Sequence, residues 1–349
     1  MRLMVVGFGV VGRSSVKVLC ERREDLKRKF GLNPKVVAII DINGALVDSR
    51  GLSQEILLRA TDRSAKIEDF GNAFNPEAKL QDLLSELDCE VMIETTPTNL
   101  STGQPGLDHL KLAMKSGVHV VTTNKGPLAL AMPALLELSE HNRVQLKFSG
   151  TVGGGTPMLD LANRCMDGLR IDSFRGILNG TTNYILSKMD SEGVSFNVAL
   201  DEARAKGYAE ADPSYDIDAL DPAAKLVIMA NLVMGKRLSI RDLKISGIRD
   251  VKREEIEKAK SEGKILKLIA SCGDKQEVAP MAIPRNHPLN VSGTLNSLTF
   301  QTDLAGEITI IGKGAGGLET ASAVLRDLID IRKVYSHQAL AASQKMRRT

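Results

Sequence analysis

Short apolar runs alternate with amphipathic segments over the first 150 residues of the chain. Each run has the length of a strand and is bounded by polar residues, glycine or proline, which favours a buried strand. Strands that alternate with helices predict a parallel sheet, whose ligands bind outside the carboxyl ends of the strands. The strand candidates lie at residues 3–6, 36–40, 90–94, 118–121 and 144–148, and the helical patterns at 12–29, 54–60, 76–84, 105–116 and after 127.

After residue 150 the strand candidates follow one another with fewer helical crossovers, which predicts an open mixed sheet. Such a sheet often pairs with a copy of itself, so we expect a homodimer. Strands are predicted at 170–178, 265–270, 278–283 and 308–311, and helices from 180 and at 196–206, 222–232, 252–260 and 318–332. A length of 349 residues suits two domains. We expect a first domain at 1–149, a second at 150–300, a return segment at 301–335 that completes the first domain, and a polar tail at 336–349.

Three glycines follow the first predicted strand at the spacing of a dinucleotide-binding turn. Gly7 permits the tight turn, Gly9 lets the backbone approach a pyrophosphate, and Gly12 lets helix and strand pack closely. The phosphates are expected at the N-terminus of the following helix. The turn comprises Gly7, Phe8, Gly9, Val10, Val11 and Gly12. The predicted fold is therefore α/β: a Rossmann-type doubly wound parallel sheet that binds NAD or NADP, plus a second α/β substrate and dimerisation domain.

Asp41 ends the second predicted strand, where a carboxylate binds the adenosine ribose and repels a 2′-phosphate. This position favours NAD, but Arg50 and Arg59 follow closely and leave NADP open. An alternative role for Asp41 is to cap the turn at residues 42–44.

Polar side chains follow two other strands of the predicted parallel sheet. Thr95 and Thr96 follow one strand, and Lys125 follows the next, so all three are expected at the ligand-binding edge. The alternative for Lys125 is an ordinary surface lysine in a turn.

An acidic stretch at residues 203–225 contains five carboxylates before Lys225. Pro213 and Pro222 predict an ordered loop at 210–218, with Asp221 as the N-cap of a helix at 222–232. Asp221 and Lys225 would share one face of that helix. Carboxylates beside an ammonium suit a small zwitterion with a polar reacting end. The alternatives are a helix cap, a surface ion pair and a solvated acidic loop.

Two further glycine-rich loops lie at residues 150–157 and 312–317. The first has the composition of a phosphate cradle, of a loop whose carbonyls face a cation, or of an interdomain hinge. The second is expected to return the chain to the first domain and to bring Gly314 and Gly316 to the nicotinamide end of the cofactor. His287 is a less favoured candidate for a general acid, because Pro288 indicates a structural turn.

The composition excludes several functional classes. The net charge is +3 with acids and bases interspersed, so the chain has no basic footprint for nucleic acid. No apolar run approaches the ~20 residues of a membrane span. The four cysteines have no C-x-x-C spacing, which favours reduced thiols in a cytoplasmic protein.

Several separate segments together form a recognisable signature. They are Ala203, Gly207-Tyr208, Asp212-Pro213, Asp216-Ile217, Asp221 and Lys225 at fixed spacing, the runs DINGALVDSRGL, ETTPTNL, TTNKGPLA and GILNGTTNYIL, and the block from His287 to Phe300. Over nearly the whole chain these segments resemble the homoserine dehydrogenase family. Two positions depart from its pattern: Ala219 replaces a glycine, and Ser149 replaces a glutamate that often assists a cation.

The resemblance implies NAD(P)-dependent interconversion of L-homoserine and L-aspartate 4-semialdehyde, on the route to threonine and methionine. It implies that Lys125 and Lys225 are catalytic, with Asp221 orienting Lys225. It also implies a substrate site of Glu210, Asp216, Tyr208, Gly180 and Thr181, and a monovalent cation such as sodium on the carbonyls of Val152, Gly154 and Thr156. The C-terminal regulatory domain of some relatives is not expected. Two rival hypotheses are a related amino-acid or hydroxy-acid dehydrogenase and a non-catalytic NAD(P) sensor.

Overall fold

A computed structural model describes the backbone of residues 1–346 and the side chains of residues 1–334. The chain divides into two compact units, Met1–Thr151 with Gly316–Thr349, and Val152–Ala315. The polar tail predicted at 336–349 has its side chains, and its last three residues, outside the described range.

The first unit contains a seven-stranded sheet in the order β4-β3-β2-β1-β5-β6-β7. Five neighbouring strands of this sheet, β2, β1, β5, β6 and β7, pair in parallel. The other two strands form an antiparallel extension at one edge. The strands are β1 (Arg2–Val6), β2 (Lys35–Asp41), β3 (Gly44–Val47), β4 (Phe74–Asn75), β5 (Val91–Glu94), β6 (His119–Thr122) and β7 (Leu146–Lys147).

The helices of the first unit lie close to the predicted positions, with three differences. The helix predicted at 76–84 begins only at Leu80 and ends at Glu86. The predicted helix at 12–29 is two helices, because Arg22 leaves the helical region between them. The segment at 67–73 forms a 3-10 turn that the pattern did not indicate. The helices are α1 (Val10–Glu21), α2 (Arg23–Phe30), α3 (Gln54–Ala60), α4 (Leu80–Glu86), α5 (Gly106–Lys115), α6 (Lys125–His141) and α13 (Gly317–Met346).

The core of the first unit forms around the parallel strands and the returning helix. Val324, Leu328 and Ile331 of α13 are buried in the same cluster as Leu3 and Val5 of β1. Burial of such a side chain stabilises the fold by about 1.5–3 kcal/mol. The C-terminal helix is therefore an integral part of the first unit.

The second unit contains a six-stranded sheet in the order β13-β12-β8-β10-β11-β9. All neighbours pair antiparallel except β11 and β9, so the predicted open mixed sheet is confirmed. The strands are β8 (Ile171–Ile177), β9 (Lys244–Ile245), β10 (Lys264–Cys272), β11 (Gln276–Pro284), β12 (Leu295–Thr302) and β13 (Gly306–Lys313). The helices are α7 (Met158–Asp160), α8 (Gly180–Glu192), α9 (Phe196–Ala205), α10 (Ser214–Ile217), α11 (Leu220–Val233) and α12 (Arg253–Ser261).

One expected boundary differs from the structure. The sequence pattern predicts that residues 301–315 belong to the return segment, but β12 continues to Thr302 and β13 pairs with it along its whole length. Hydrogen bonds between these neighbours keep both strands in the second sheet, and the chain enters the first unit only at Gly316.

Candidate active site

The glycine turn of the first unit has the geometry of a pyrophosphate site. Gly7 has φ +85°, where only glycine fits without strain, and a Cβ on Gly12 would lie 2.3 Å from the Gly7 carbonyl oxygen. A Cβ on Gly9 would meet nothing within 4 Å, so the backbone faces open space there. Because α1 begins at Val10, its first N–H groups and its dipole face that space and favour an anion.

A cleft of about 570 Å³ adjoins the turn and is large enough for part of a dinucleotide. Its walls include Gly9, Val10, Lys17 and Arg63, so backbone amides and cations border the same space. The residues present therefore fit a dinucleotide phosphate group.

Asp41 lies at the carboxyl end of β2, where its role as a turn cap is observed and its contact with a ribose stays a prediction. Its Oδ1 accepts the Ile42 N–H at 3.0 Å, which caps the β2–β3 turn. The residue also lines a cleft of about 340 Å³ together with Lys66 and Glu68. Asn43 donates to Glu68 Oε1 at 2.6 Å, which brings a second carboxylate to this cleft.

Arg13 lines both clefts, but its guanidinium is committed to the backbone. It donates to the carbonyls of Phe8 at 3.0 Å, Asp62 at 2.7 Å and Ala65 at 3.1 Å, and also to that of Ala60. Its charge therefore anchors the segment after α3 and contributes only a diffuse field to a ligand.

Glu94, which the sequence analysis did not single out, joins the ends of two parallel strands. It is fully buried and accepts the Thr96 N–H at 3.0 Å, the Thr96 hydroxyl, and the Thr122 hydroxyl at 2.8 Å. The Thr95 hydroxyl donates to Gly7 O at 2.5 Å, which ties the same strand end to the glycine turn. The signal for Glu94 in the sequence was a carboxylate that ends an otherwise apolar run.

Lys125 is the first residue of α6, and Asn124 is its N-cap. Asn124 Oδ1 accepts the Gly126 N–H at 3.0 Å, while its Nδ2 donates to Thr96 Oγ1 and Pro97 O at 3.2 Å each. The half-buried Lys125 is thus held by a cap that is itself tied to the neighbouring strand end, as its predicted place at the edge requires.

The carboxylates of the second unit gather around Asn179, the residue before α8. Asn179 Oδ1 accepts the Thr182 N–H at 2.9 Å, and its Nδ2 donates to Asp216 at 2.6 Å and to Asp221 at 2.9 Å. Burial raises the pKa of Asp216, and the negative charge of Asp221 raises it further. Two carboxylates this close repel each other, and this repulsion favours the binding of a cationic ligand.

Lys225 is 6% exposed and is anchored at two points. Its Nζ donates to Asp221 Oδ2 at 2.7 Å and to Leu178 O at 2.7 Å. The predicted pairing of Asp221 with Lys225 on one helix face is therefore observed.

Asp221 is not the N-cap of that helix. The helix α11 begins at Leu220, which makes Asp221 its second residue and Pro222 its third. The N-cap is Ala219, which has φ +64° and is completely buried. The left-handed conformation explains why glycine suits this position.

The remaining predicted substrate residues lie on two segments. Gly180 begins α8, and Thr181 donates its hydroxyl to Tyr208 O at 2.7 Å. The Tyr208 ring packs edge-on against Tyr184 with centroids 5.0 Å apart. Glu210 lies two residues beyond Tyr208 and is exposed.

The two glycine loops pack against each other inside the second unit. Thr156 donates its hydroxyl to Lys313 O at 3.1 Å, and a Cβ on Gly154 would lie 2.7 Å from Gly314 O. Gly314 also packs tightly on the side chain of Asn296, while Gly316 is exposed with φ +124°. The contacts of Gly314 and Gly316 with nicotinamide stay predictions, as does a cation on Val152, Gly154 and Thr156.

Ser149 stands where the family often has glutamate, and it donates hydrogen bonds to a carboxylate of the first unit. Its backbone N–H and its hydroxyl donate to the two oxygens of Asp327, at 3.0 Å and 2.6 Å. His287 uses its Nδ1 to accept the Leu289 N–H at 3.0 Å, which agrees with a structural turn.

The glycine turn, the parallel sheet and the polar strand ends define a dinucleotide-dependent oxidoreductase. Two family models match the chain, one for the homoserine dehydrogenase NAD-binding domain at residues 7–149 and one for homoserine dehydrogenase at residues 157–329. The chain belongs to the homoserine dehydrogenase family, the NAD(P)-dependent enzymes that interconvert L-homoserine and L-aspartate 4-semialdehyde in amino-acid biosynthesis.

Relatives match over nearly the full chain. The homoserine dehydrogenase of Methanocaldococcus jannaschii is 43% identical, over 95% of this chain and 98% of the relative. An NAD(+)-dependent homoserine dehydrogenase of Pseudomonas canavaninivorans is 34% identical, over 99% of this chain and 98% of the relative. A crystal structure of a candidate homoserine dehydrogenase from Archaeoglobus fulgidus has a TM-score of 0.86 and 38% identity, covering 95% of this chain and 99% of the other. A hyperthermophilic archaeal homoserine dehydrogenase in complex with NADPH has a TM-score of 0.81 and 29% identity, covering 95% and 97%.

Proposed function

We propose that Lys225 is the general acid and base of the homoserine dehydrogenase reaction, with Asp221 as its positioning residue. The observation that carries this role is the geometry of the Lys225 ammonium, 6% exposed and held by Asp221 and Leu178 O. An ammonium has three N–H donors, and these two contacts use two of them. The third donor is assigned to the C4 oxygen of the substrate.

The carboxylates hold the other end of the substrate. Asp216 and Asp221 present negative charge around Asn179, and Glu210 adds an exposed carboxylate nearby in the sequence. We assign the amino group of the substrate to Glu210 with Asp216 or Asp221, and its placement to Gly180, Thr181 and Tyr208. An ammonium among carboxylates forms charge-assisted hydrogen bonds, which are about twice as strong as neutral ones.

The family resemblance assigns a catalytic role to Lys125 of the first unit as well. NAD(P), when bound, would supply or accept the hydride at C4. Lys225 stabilises the negative charge that develops on the oxygen and transfers the proton.

The test is Lys225→Ala, with Lys258→Ala on the exposed face of α12 as the matched control. Loss of a general acid is expected to lower kcat by about 10²-fold or more, while the control stays near wild type. Circular dichroism checks folding. A folded Lys225→Ala protein that loses less than about threefold in kcat removes Lys225 from the mechanism.

Glu210→Ala tests the amine anchor, with the exposed turn residue Asp274→Ala as control. We expect a rise in the KM for L-homoserine of about tenfold or more, with kcat changed much less. An unchanged KM would exclude the anchor role.

We assign NAD as the preferred cofactor. Asp41 and Glu68 place two carboxylates at one cleft, while the guanidinium of Arg13 is committed to backbone carbonyls. Arg63 and Lys66 line the same cleft and are the residues that would tolerate a 2′-phosphate. Carboxylates facing a phosphate dianion are destabilising, so NAD is favoured.

Asp41→Asn tests this preference, and Asp48→Asn removes the same charge just beyond β3 as a control. The Asp41 variant is expected to gain about tenfold in kcat/KM for NADP relative to NAD, because one repulsive charge is lost. An unchanged ratio, or the same change in the control, would exclude Asp41 as the determinant.

The loop at 150–157 is the proposed sodium site, through the carbonyls of Val152, Gly154 and Thr156. The Thr156 carbonyl already accepts the Met158 N–H at 2.8 Å, which leaves one of its lone pairs for a cation. Activity that is the same in sodium and in choline buffers of equal ionic strength would exclude a required cation.

We also propose a homodimer formed through the second sheet, and a cytoplasmic location. Ile311 of the edge strand β13 is 50% exposed, as expected for a strand that has a partner in an assembly. None of the helices in the described part of the chain has the length and apolar character needed to cross a bilayer. Light scattering during gel filtration decides the oligomeric state, and a monomer would contradict the proposal.

A further inference from the structure

Lys267 lies in the middle of the apolar face of β10. Its neighbours on that face, Ile265 and Ile269, belong to a buried cluster with Leu289 and Val291. Lys267 itself is 1% exposed. An ammonium at such a position is costly unless its hydrogen-bonding groups are satisfied.

Three neutral acceptors surround the Lys267 ammonium. Nζ donates to Asn183 Oδ1 at 2.8 Å, to Ser187 Oγ at 2.7 Å and to Val291 O at 2.9 Å. The first two acceptors lie on α8, and the third lies in the connection between β11 and β12. The amine therefore joins a helix to a loop.

The ammonium also determines which way the Asn183 amide faces. Lysine only donates, so Asn183 must present its oxygen to Nζ and its Nδ2 to the loop. Nδ2 lies within hydrogen-bonding distance of Val291 O at 3.1 Å, Gly293 O at 3.0 Å and Leu295 O at 3.1 Å, and its two N–H groups are shared among these three carbonyls. One amide thus holds the backbone of the loop at residues 291–295.

This loop presses on the start of α8. A Cβ on Gly180 would lie 2.6 Å from Thr294 O, so the two backbones are in direct contact. The same helix start carries Thr181 and follows Asn179, the residue that binds both carboxylates of the proposed substrate site.

We propose that Lys267 is a positioning residue for the substrate site, because it orients Asn183 and thereby holds the 291–295 loop against the first turn of α8. This inference rests on the substrate site proposed above. Lys267 does not touch the substrate.

The charges that face Lys267 are few. Asp190 of α8 pairs with Arg285 at 2.6 Å, and Lys260 of α12 donates to Asp190 O at 3.4 Å. Burial lowers the pKa of Lys267 to about 8, an effect that Asp190 opposes and Arg285 adds to. His287 is the titratable group on the segment that leads into the loop. The ammonium is therefore present at neutral pH at an electrostatic cost that a neutral side chain of similar length would avoid.

Lys267→Met tests the proposal, and Lys264→Met, three residues earlier on the same strand and 41% exposed, is the control. Hydrogen exchange at residues 289–295 and 180–184 is expected to accelerate about tenfold, because the amide is no longer oriented. The KM for L-homoserine should rise about tenfold, while the KM for NAD stays within about twofold. The control should change neither.

Ser187→Ala is the second variant, because it removes one acceptor of Lys267 and leaves the lysine in place. It should raise the KM for L-homoserine about threefold in the same direction, and it decides the question if Lys267→Met does not fold. An unchanged L-homoserine KM in the folded variants, or an equal rise in both KM values, overturns the positioning role. If the wild-type protein turned over no homoserine, the proposed function would fail, while loop exchange would still show whether Lys267 holds the loop.

Discussion

Replacing Lys267 by methionine is expected to change how the free energy of unfolding depends on pH. The pKa of Lys267 is lowered by burial from 10.5 to about 8, so between these values the unfolded chain binds a proton that the folded protein has released. Stability therefore rises with pH across this window. The penalty for the buried ammonium is fully present below about pH 8 and is lost above about pH 10.5. A methionine carries no such penalty.

The magnitude follows from the size of the pKa shift. A difference of about 2.5 pH units, at about 1.4 kcal/mol per unit, corresponds to about 3.5 kcal/mol. Between pH 7 and pH 10, about 2.5 kcal/mol of this is expected to appear. The wild-type protein should gain that amount relative to Lys267→Met over the interval. The absolute difference at pH 7 also contains the lost hydrogen bonds, so the prediction concerns the change with pH.

Urea unfolding of both proteins at pH 7 and pH 10 measures this difference directly. Other titrating groups contribute equally to the two proteins and cancel in the comparison. Lys264→Met is the control and should follow the wild type, because this side chain is 41% exposed and pairs with Glu262 on the surface at 2.9 Å. Parallel pH dependences of wild type and Lys267→Met, within about 0.5 kcal/mol, would show that the buried amine carries no electrostatic penalty.

Three other perturbations test separate parts of the structure. The KM for L-homoserine should rise as pH falls through the raised pKa of Asp216, since a substrate ammonium needs the ionised carboxylate. Asp216→Asn should flatten this pH profile of KM. A profile that keeps its shape in the variant would remove Asp216 from amine binding. Glu94→Ala should lower the free energy of unfolding by about 2–4 kcal/mol, because three donors lose a buried acceptor. Glu94→Gln should keep most of the wild-type stability. Equal urea midpoints for the two variants would contradict this expectation. Ala219→Gly should change the free energy of unfolding by less than about 1 kcal/mol, since relief of the left-handed strain is offset by backbone entropy and the loss of a buried methyl group. Ala219→Val should lower it by about 2 kcal/mol or more. A valine that causes no loss in thermal unfolding would exclude strain at this position.

The parts of the site that were predictable from the sequence depend on local spacing. The Gly7–Gly12 turn, the strand ends at Thr95 and Lys125, and the pairing of Asp221 with Lys225 each span a few residues. At that range, glycine conformations and helical periodicity determine the geometry. The chemical roles of these residues were predicted from the resemblance to the homoserine dehydrogenase family.

The missed features depend on contacts between distant residues. Lys267 lies within a run that reads as an ordinary strand, and its burial follows from α8, 80 residues earlier in the chain. The strand β13 was assigned to the wrong unit because its pairing with β12 is not encoded in its own residues. Asp221 was misplaced as a cap because a left-handed alanine at position 219 is a conformation that alanine rarely adopts.

Two helices that carry candidate catalytic or substrate residues begin in the same way. Asn124 precedes α6 and Asn179 precedes α8, and in both the side-chain oxygen accepts a backbone N–H of the first turn. Because that oxygen is committed to the helix, the amide nitrogen must face outwards, to Thr96 in one unit and to Asp216 and Asp221 in the other. The cap therefore aligns the helix start and orients its polar neighbours with one side chain. In the second unit, the ammonium of Lys267 orients the Asn183 amide one turn further along α8 in a similar way. The polar groups are thus arranged before a ligand arrives, which is the condition under which electrostatic stabilisation costs least during a reaction.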